Sequence, residues 1–226
     1  MEPNNIFLAI IFATPYILII LSLIAYIFLI LGGKFEERRS RIDSSYLFEV
    51  SGILLVIYYV IFLGINLVLD IITPIINSAN FNTGLLNIFS FGINGLLDFL
   101  FVGASILLII IGAKNTQYFY LIITGSLYLL TIIISYIFSF SLDLILQTQG
   151  IGDFNFILLY DWIESITIGT IILAAEISFL VFSIKYEREL DPIKNKFKTT
   201  GILLVIGAVS WLIYSTIYLG LRFFSL

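Results

Sequence analysis

Lys34-Phe-Glu-Glu-Arg-Arg-Ser-Arg41 and Lys185-Tyr-Glu-Arg-Glu-Leu-Asp-Pro-Ile-Lys-Asn-Lys-Phe-Lys198 are the most basic stretches of this 226-residue chain, and each joins two long apolar runs. With Lys114 they hold ten of the eleven Lys and Arg residues. Numbering the gaps between six apolar runs in order, these bases occupy the first, third and fifth. The second gap (77–83) and the fourth (148–155) hold none. Lys and Arg are retained in cytoplasmic loops of membrane proteins because carrying them across a bilayer is unfavourable. The pattern therefore predicts three inner loops, two outer loops, and both termini outside.

The runs cover 6–33, 46–76, 84–113, 118–147, 156–184 and 201–224, each longer than the ~20 residues that cross a ~30 Å hydrocarbon core. Hydrophobic residues make up 60% of the chain and charged residues 12%, far too little charge for a water-facing surface. The expectation is all-α: an integral membrane bundle of six transmembrane helices forming a single polytopic domain over 1–226. Met1 to Ile11 carries no basic residue, and the first apolar run is too long for a cleavable leader, so it reads as a true span. Pro15 is expected to kink the first helix, and Pro74 to bend or end the second.

The chain also looks repetitive. Ser51-Gly-Ile-Leu-Leu-Val-Ile follows the first basic turn, and Thr200-Gly-Ile-Leu-Leu-Val-Ile follows the third. A fainter copy runs from Lys114 to Thr124-Gly125. Three tandem hairpins in the same orientation would form a parallel repeat, although such strings also arise by chance in a chain this rich in Ile and Leu.

Composition excludes much chemistry. There is no Cys and no His, and Met1 is the only Met. Thiolate, imidazole and thioether ligands are thus missing, and no cofactor or metal site is expected. Ile at 45 positions, no Cys and scarce Met suit a heat-adapted, AT-rich, archaeal source. In composition, though by no motif, the chain is similar to small membrane proteins of thermoacidophilic archaea. Gly103-Ala-Ser-Ile lacks the His a rhomboid protease needs. The last span has no Lys for retinal, and Tyr160-Asp161 with Gly152-Asp153 has the wrong order for an intramembrane aspartyl protease. No basic stripe suggests nucleic acid.

Intramembrane acids are the candidates that remain, since each is costly in lipid and tends to face a bundle interior. Asp98 and Glu176 are the deepest. Helical phase places Asn87, Asn94, Asp98 and Ser105 on one stripe of the third span, and Asp161, Ser165, Gly169 and Glu176 on one stripe of the fifth. Gly52, Tyr59, Asn66 and Asp70 do the same on the second, and Tyr128, Ser135 and Ser139, leading to Asp143, on the fourth. Two readings follow. In one, Asp98 and Glu176 load a proton or cation while Asp70, Asp143, Asp161 and Glu164 form an acidic outer mouth. In the other, the same groups hydrogen-bond between helices and hold the bundle together. Arg222, the one base outside the inner loops, is placed to pair with an outer acid or to snorkel. Tyr16, Tyr46, Tyr118, Tyr120, Tyr160, Trp162 and Tyr186 suit an interfacial belt, and Tyr58, Tyr59, Tyr214 and Tyr218 lie deeper.

The functional expectation is a non-catalytic membrane subunit or scaffold of a larger complex. It would sit in the cell membrane, pack against lipid and against other integral membrane proteins or copies of itself, and carry no redox centre. The alternative is a small proton or cation transporter. Orientation is testable because the chain is free of Cys: single cysteines at Ser40, Asn80 and Asn195 should label from inside, outside and inside. Labelling of position 80 from the cytoplasmic side would reverse the assignment.

Overall fold

The computed structural model describes the backbone over 3–37, 45–79, 83–114, 118–149, 154–187 and 196–224. It describes side chains over 14–34, 46–65, 67–68, 93–114, 118–146, 156–185 and 196–218. These residues form six helices: α1 (Pro3–Glu37), α2 (Ser45–Ala79), α3 (Thr83–Lys114), α4 (Phe119–Gln149), α5 (Phe154–Glu187) and α6 (Lys196–Phe224). Each contains a stretch long and apolar enough to cross a membrane, from Thr14–Lys34 in α1 to Lys196–Tyr218 in α6. At 1.5 Å per residue the helices are about 44 to 53 Å long, so they tilt within a ~30 Å core or project beyond it.

Most helix ends extend one to five residues beyond the apolar runs, because polar residues continue a helix once it leaves lipid. The largest difference is in α6, which begins at Lys196 rather than near residue 201. Phe197 there is buried against Phe48 and Phe182, with ring centroids at 4.8 and 6.1 Å, while Lys196 and Lys198 flank it. Pro15 lies inside α1, and α2 runs through Pro74 to Ala79 without ending there.

Each helix packs against the next, and α6 returns to α1, closing a ring. Three hairpins, α1–α2, α3–α4 and α5–α6, follow one another around it. Burial repeats among them in register. On the odd helices, Ala25, Ala104 and Ala175 are buried. So are their successors Tyr26, Ser105 and Glu176, and, one turn on, Leu29, Leu108 and Phe179. Ile27, Ile106 and Ile177 all face outward. On the even helices Phe48, Leu121 and Phe197 are buried, as are Ser51, Thr124 and Thr200, then Leu55, Tyr128 and Leu204. The repeat at Ser51-Gly, Thr124-Gly and Thr200-Gly is therefore one of packing position as well as of sequence.

The reason is steric. Lipid tails are as apolar as Leu, so close backbone contact and interhelical hydrogen bonds drive association in a bilayer. A Cβ on Gly52 would meet Ile30 at 2.6 Å. On Gly125 it would meet the Ser105 carbonyl oxygen at 2.5 Å, and on Gly201 the Leu180 Cα at 2.9 Å. Each glycine thus lets an even helix touch the preceding odd helix. The neighbouring hydroxyl looks the other way: Ser51 Oγ donates to the Ala104 carbonyl at 3.3 Å, and Thr124 Oγ1 lies 3.3 Å from that of Ala175. At two of the three places, one Ser/Thr-Gly pair therefore joins a hairpin internally and ties it to the next. Gly125→Ala should lower stability by about 1–3 kcal/mol by overpacking against backbone. Gly95→Ala, whose Cβ has open space, should be neutral. Thermal unfolding in detergent distinguishes them, and equal melting temperatures would contradict the packing.

Candidate functional site

Glu176 is 3% exposed and lies within the apolar span Phe156–Lys185, nine residues and about 14 Å along α5 from Lys185. The backbone places it there because Ala175 and Ser178 pack α5 closely on α4: Thr124 Oγ1 approaches the Ala175 carbonyl, and Ser178 Oγ donates to that of Tyr120 at 2.8 Å. Tyr128 on α4 donates its hydroxyl proton to Glu176 Oε1 at 2.5 Å. Glu176 Oε2 is buried without a hydrogen-bond partner among the described residues, an exposure to low dielectric that costs of order 1–3 kcal/mol or more.

A chain of hydroxyls leads away from this carboxyl. Tyr26 of α1 is in hydrogen-bond reach of Tyr128, and Tyr59 of α2 is in reach of Tyr26 and Ser22. A phenol has one proton. Since that of Tyr128 goes to Glu176, a hydrogen bond between Tyr26 and Tyr128 has Tyr26 as its donor. The rings pack as well: Tyr26 stacks on Tyr59 at 5.4 Å, Tyr58 meets Tyr59 edge-on at 4.9 Å, and Phe101 bridges Tyr58 and Tyr128 at 5.2 and 5.1 Å. Five helices thus converge on the carboxyl.

Beside it lies a cavity of about 160 Å³ bounded by α1, α2, α5 and α6. Glu176 lines it with Ser22, Tyr58, Tyr59, Phe62 and Trp211. The repeat register shows what is special here. The counterparts of Glu176 in the other hairpins are Tyr26 and Ser105, and those of Tyr128 are Leu55 and Leu204. The fold fills these positions with other residues, so it does not itself require a carboxyl.

The other acids are elsewhere. Asp98 is half-buried at the edge of the packed face of α3, next to Leu97, and accepts a 2.5 Å hydrogen bond from Tyr136. Tyr136 follows Tyr128 by eight residues on α4, so this pair lies about 12 Å from the Glu176 pair along that helix. The structure brings the two acids to two tyrosines of one helix, at different levels. Glu164 accepts from Ser135 at 3.3 Å, Asp161 is half-buried one turn earlier on α5, and Asp143 is exposed. Asp70 and Arg222 belong to α2 and α6, but their side chains lie outside the described residues. Of the residues on the sequence stripes, Glu176, Tyr128 and Tyr59 come together. Tyr26 was not among the sequence candidates, and aligning the three hairpins would have found it, since it occupies the position of Glu176.

Among the described residues no group of three or more acids is arranged to hold a metal ion. The arrangement can hold one positive charge or one proton against a single carboxyl, with phenols as hydrogen-bonding and aromatic neighbours. Comparison with protein-family models, curated proteins and solved structures found no match.

Tyr128→Phe removes the one donor to Glu176 among the described residues and should cost about 1–3 kcal/mol. Tyr136→Phe, on the exposed pair, should cost less. Melting temperatures in detergent test this, and the reverse order would contradict the assignment of Glu176 as the more strongly dependent acid.

Proposed function

We propose that the protein is a non-catalytic subunit or scaffold of a larger membrane complex, associating laterally with other integral membrane proteins or with copies of itself. In this reading it resides in the cell membrane of a thermophilic archaeon with both termini outside, and it carries no redox centre. The observation that carries the proposal is the Asp98–Tyr136 pair on the outer side of α3 and α4. Tyr136 is 58% exposed, and Phe99 and Phe140 beside it are 75% and 70% exposed. About 24 Å of helix separates Asp98 from Lys114, a depth within the hydrocarbon core. A carboxyl–phenol pair facing acyl chains is costly, and a neighbouring helix laid over it removes that cost. Gly95, one turn away with open space above it, permits close approach by such a helix.

A second reading, transport of protons or small cations, is favoured by the buried Glu176 with its unpartnered oxygen. It expects uptake into reconstituted vesicles that Glu176→Gln abolishes, and wild-type vesicles that move neither would end it. For lateral association, Phe99→Cys in this Cys-free chain should cross-link to a neighbour in native membranes. Ile17→Cys, exposed on α1 across the ring, should not. Absence of adducts at position 99, or equal yields at both, would contradict the proposal.

A further inference from the structure

We propose that the cavity beside Glu176 is a binding site for a small organic cation, an alkyl- or arylammonium of about eight non-hydrogen atoms. The inference goes beyond lateral association and stands whether or not the ligand is moved across the membrane. Three observations carry it together: a cavity, a buried carboxyl with a free oxygen, and a wall of aromatic rings.

Size comes first. The cavity holds about 160 Å³, and an apolar cavity of about 150 Å³ takes up a six-carbon ring. Charge comes second. Glu176 lines the cavity, with Oε1 engaged by Tyr128 and Oε2 without a hydrogen-bond partner among the described residues. Every Lys and Arg of the chain lies in an inner loop or near a helix end, so no base at this depth balances the carboxylate. Oε2 presents almost no surface to the cavity, so the Glu176 carboxyl must turn toward a ligand. An ammonium N–H that meets it would supply both the missing hydrogen bond and the missing charge.

The lining selects among cations. Tyr58, Tyr59, Phe62 and Trp211 contribute aromatic rings from two sides of the cavity. Aromatic faces attract the C–H groups around an ammonium centre as well as the charge itself. A bare inorganic ion would need several oxygen ligands, six to eight for calcium. Here the lining offers one carboxyl and the hydroxyls of Ser22, Tyr58 and Tyr59, and its other side chains are apolar or aromatic. A neutral apolar molecule would fill the space but leave Oε2 unpaired. Of these classes, an organic monocation matches both the carboxyl and the aromatic wall. Trp211 is 36% exposed on the outside of the ring while also lining the cavity, so it forms the wall between site and membrane and is the residue a ligand entering sideways would pass. The carboxyl is specific to one hairpin, its counterparts being Tyr26 and Ser105, which gives the ring a single such site.

The test uses calorimetric titration of the purified protein in detergent with benzylammonium and its neutral analogue benzyl alcohol. Wild type should bind benzylammonium saturably at one site, at least tenfold more tightly than benzyl alcohol. Glu176→Gln keeps the shape of the side chain and should bring the two affinities together. Gly207→Leu, whose Cβ meets Leu21 and Ser22 only at ordinary contact distances of 3.7 and 3.8 Å, should fill the cavity and remove both. Equal binding of the two probes by wild type, no saturable heat with benzylammonium, or undiminished discrimination in Glu176→Gln would each overturn the proposal. Loss of cross-linking at position 99 bears on lateral association and leaves these affinities unchanged.

Discussion

Close helix contact without hydrophobic assistance is the constraint on which the rest of this structure depends. In lipid, an exposed Leu and a packed Leu are nearly equivalent, so helices meet where small residues allow backbone contact and hydroxyls find carbonyls on another helix. The three Ser/Thr-Gly pairs at 51–52, 124–125 and 200–201 meet both needs. Their glycines press each even helix onto its odd predecessor, and two of their hydroxyls reach the following odd helix at Ala104 and Ala175. Thr200, buried at the equivalent place, donates to the Lys196 carbonyl of its own helix instead.

A ring built by three near-copies of one hairpin brings equivalent positions toward a common centre. Two of the three positions after the packing alanines, Tyr26 and Glu176, meet at Tyr128, which donates to the carboxyl. Symmetric packing thus produces the enclosure, and departure from symmetry produces its chemistry. The carboxyl and its tyrosine donor stand at positions where the hairpins differ, Tyr26 and Ser105 replacing Glu176 and Leu55 and Leu204 replacing Tyr128. Farther from the basic turns burial falls away, and on α4 no described residue beyond Thr131 is buried. Asp98 and Asp143 lie in that looser region, which is why their surroundings differ from those of Glu176.

Much of the fold was legible in the sequence because hydropathy and basic turns are strong, local signals. The six helices, the three hairpins and the Ser/Thr-Gly register all follow from them. The start of α6 was missed because Lys196 and Lys198 mask a buried Phe197 from any apolar-run criterion. The site was only partly legible. Helical phase put Asp98 and Ser105 on one stripe, yet Ser105 is buried in a wide α3–α4 contact while Asp98 sits at its rim, a distinction that depends on how far the neighbouring helix leans away. The role of Tyr26 and the cavity itself depend on ring closure, which no single-helix pattern encodes.

Ring closure between α1 and α6 is the feature least determined by hairpin formation, and it creates the enclosure around Glu176. The direct measurement is a disulfide between Ser22→Cys and Gly207→Cys in the otherwise Cys-free chain. Ser22 Oγ lies 3.8 Å from where a Gly207 Cβ would stand, within disulfide reach. Closure predicts a rapid intramolecular cross-link that leaves the melting temperature unchanged or higher. A pair that stays reduced under oxidant, or links only between molecules, would contradict the closed ring.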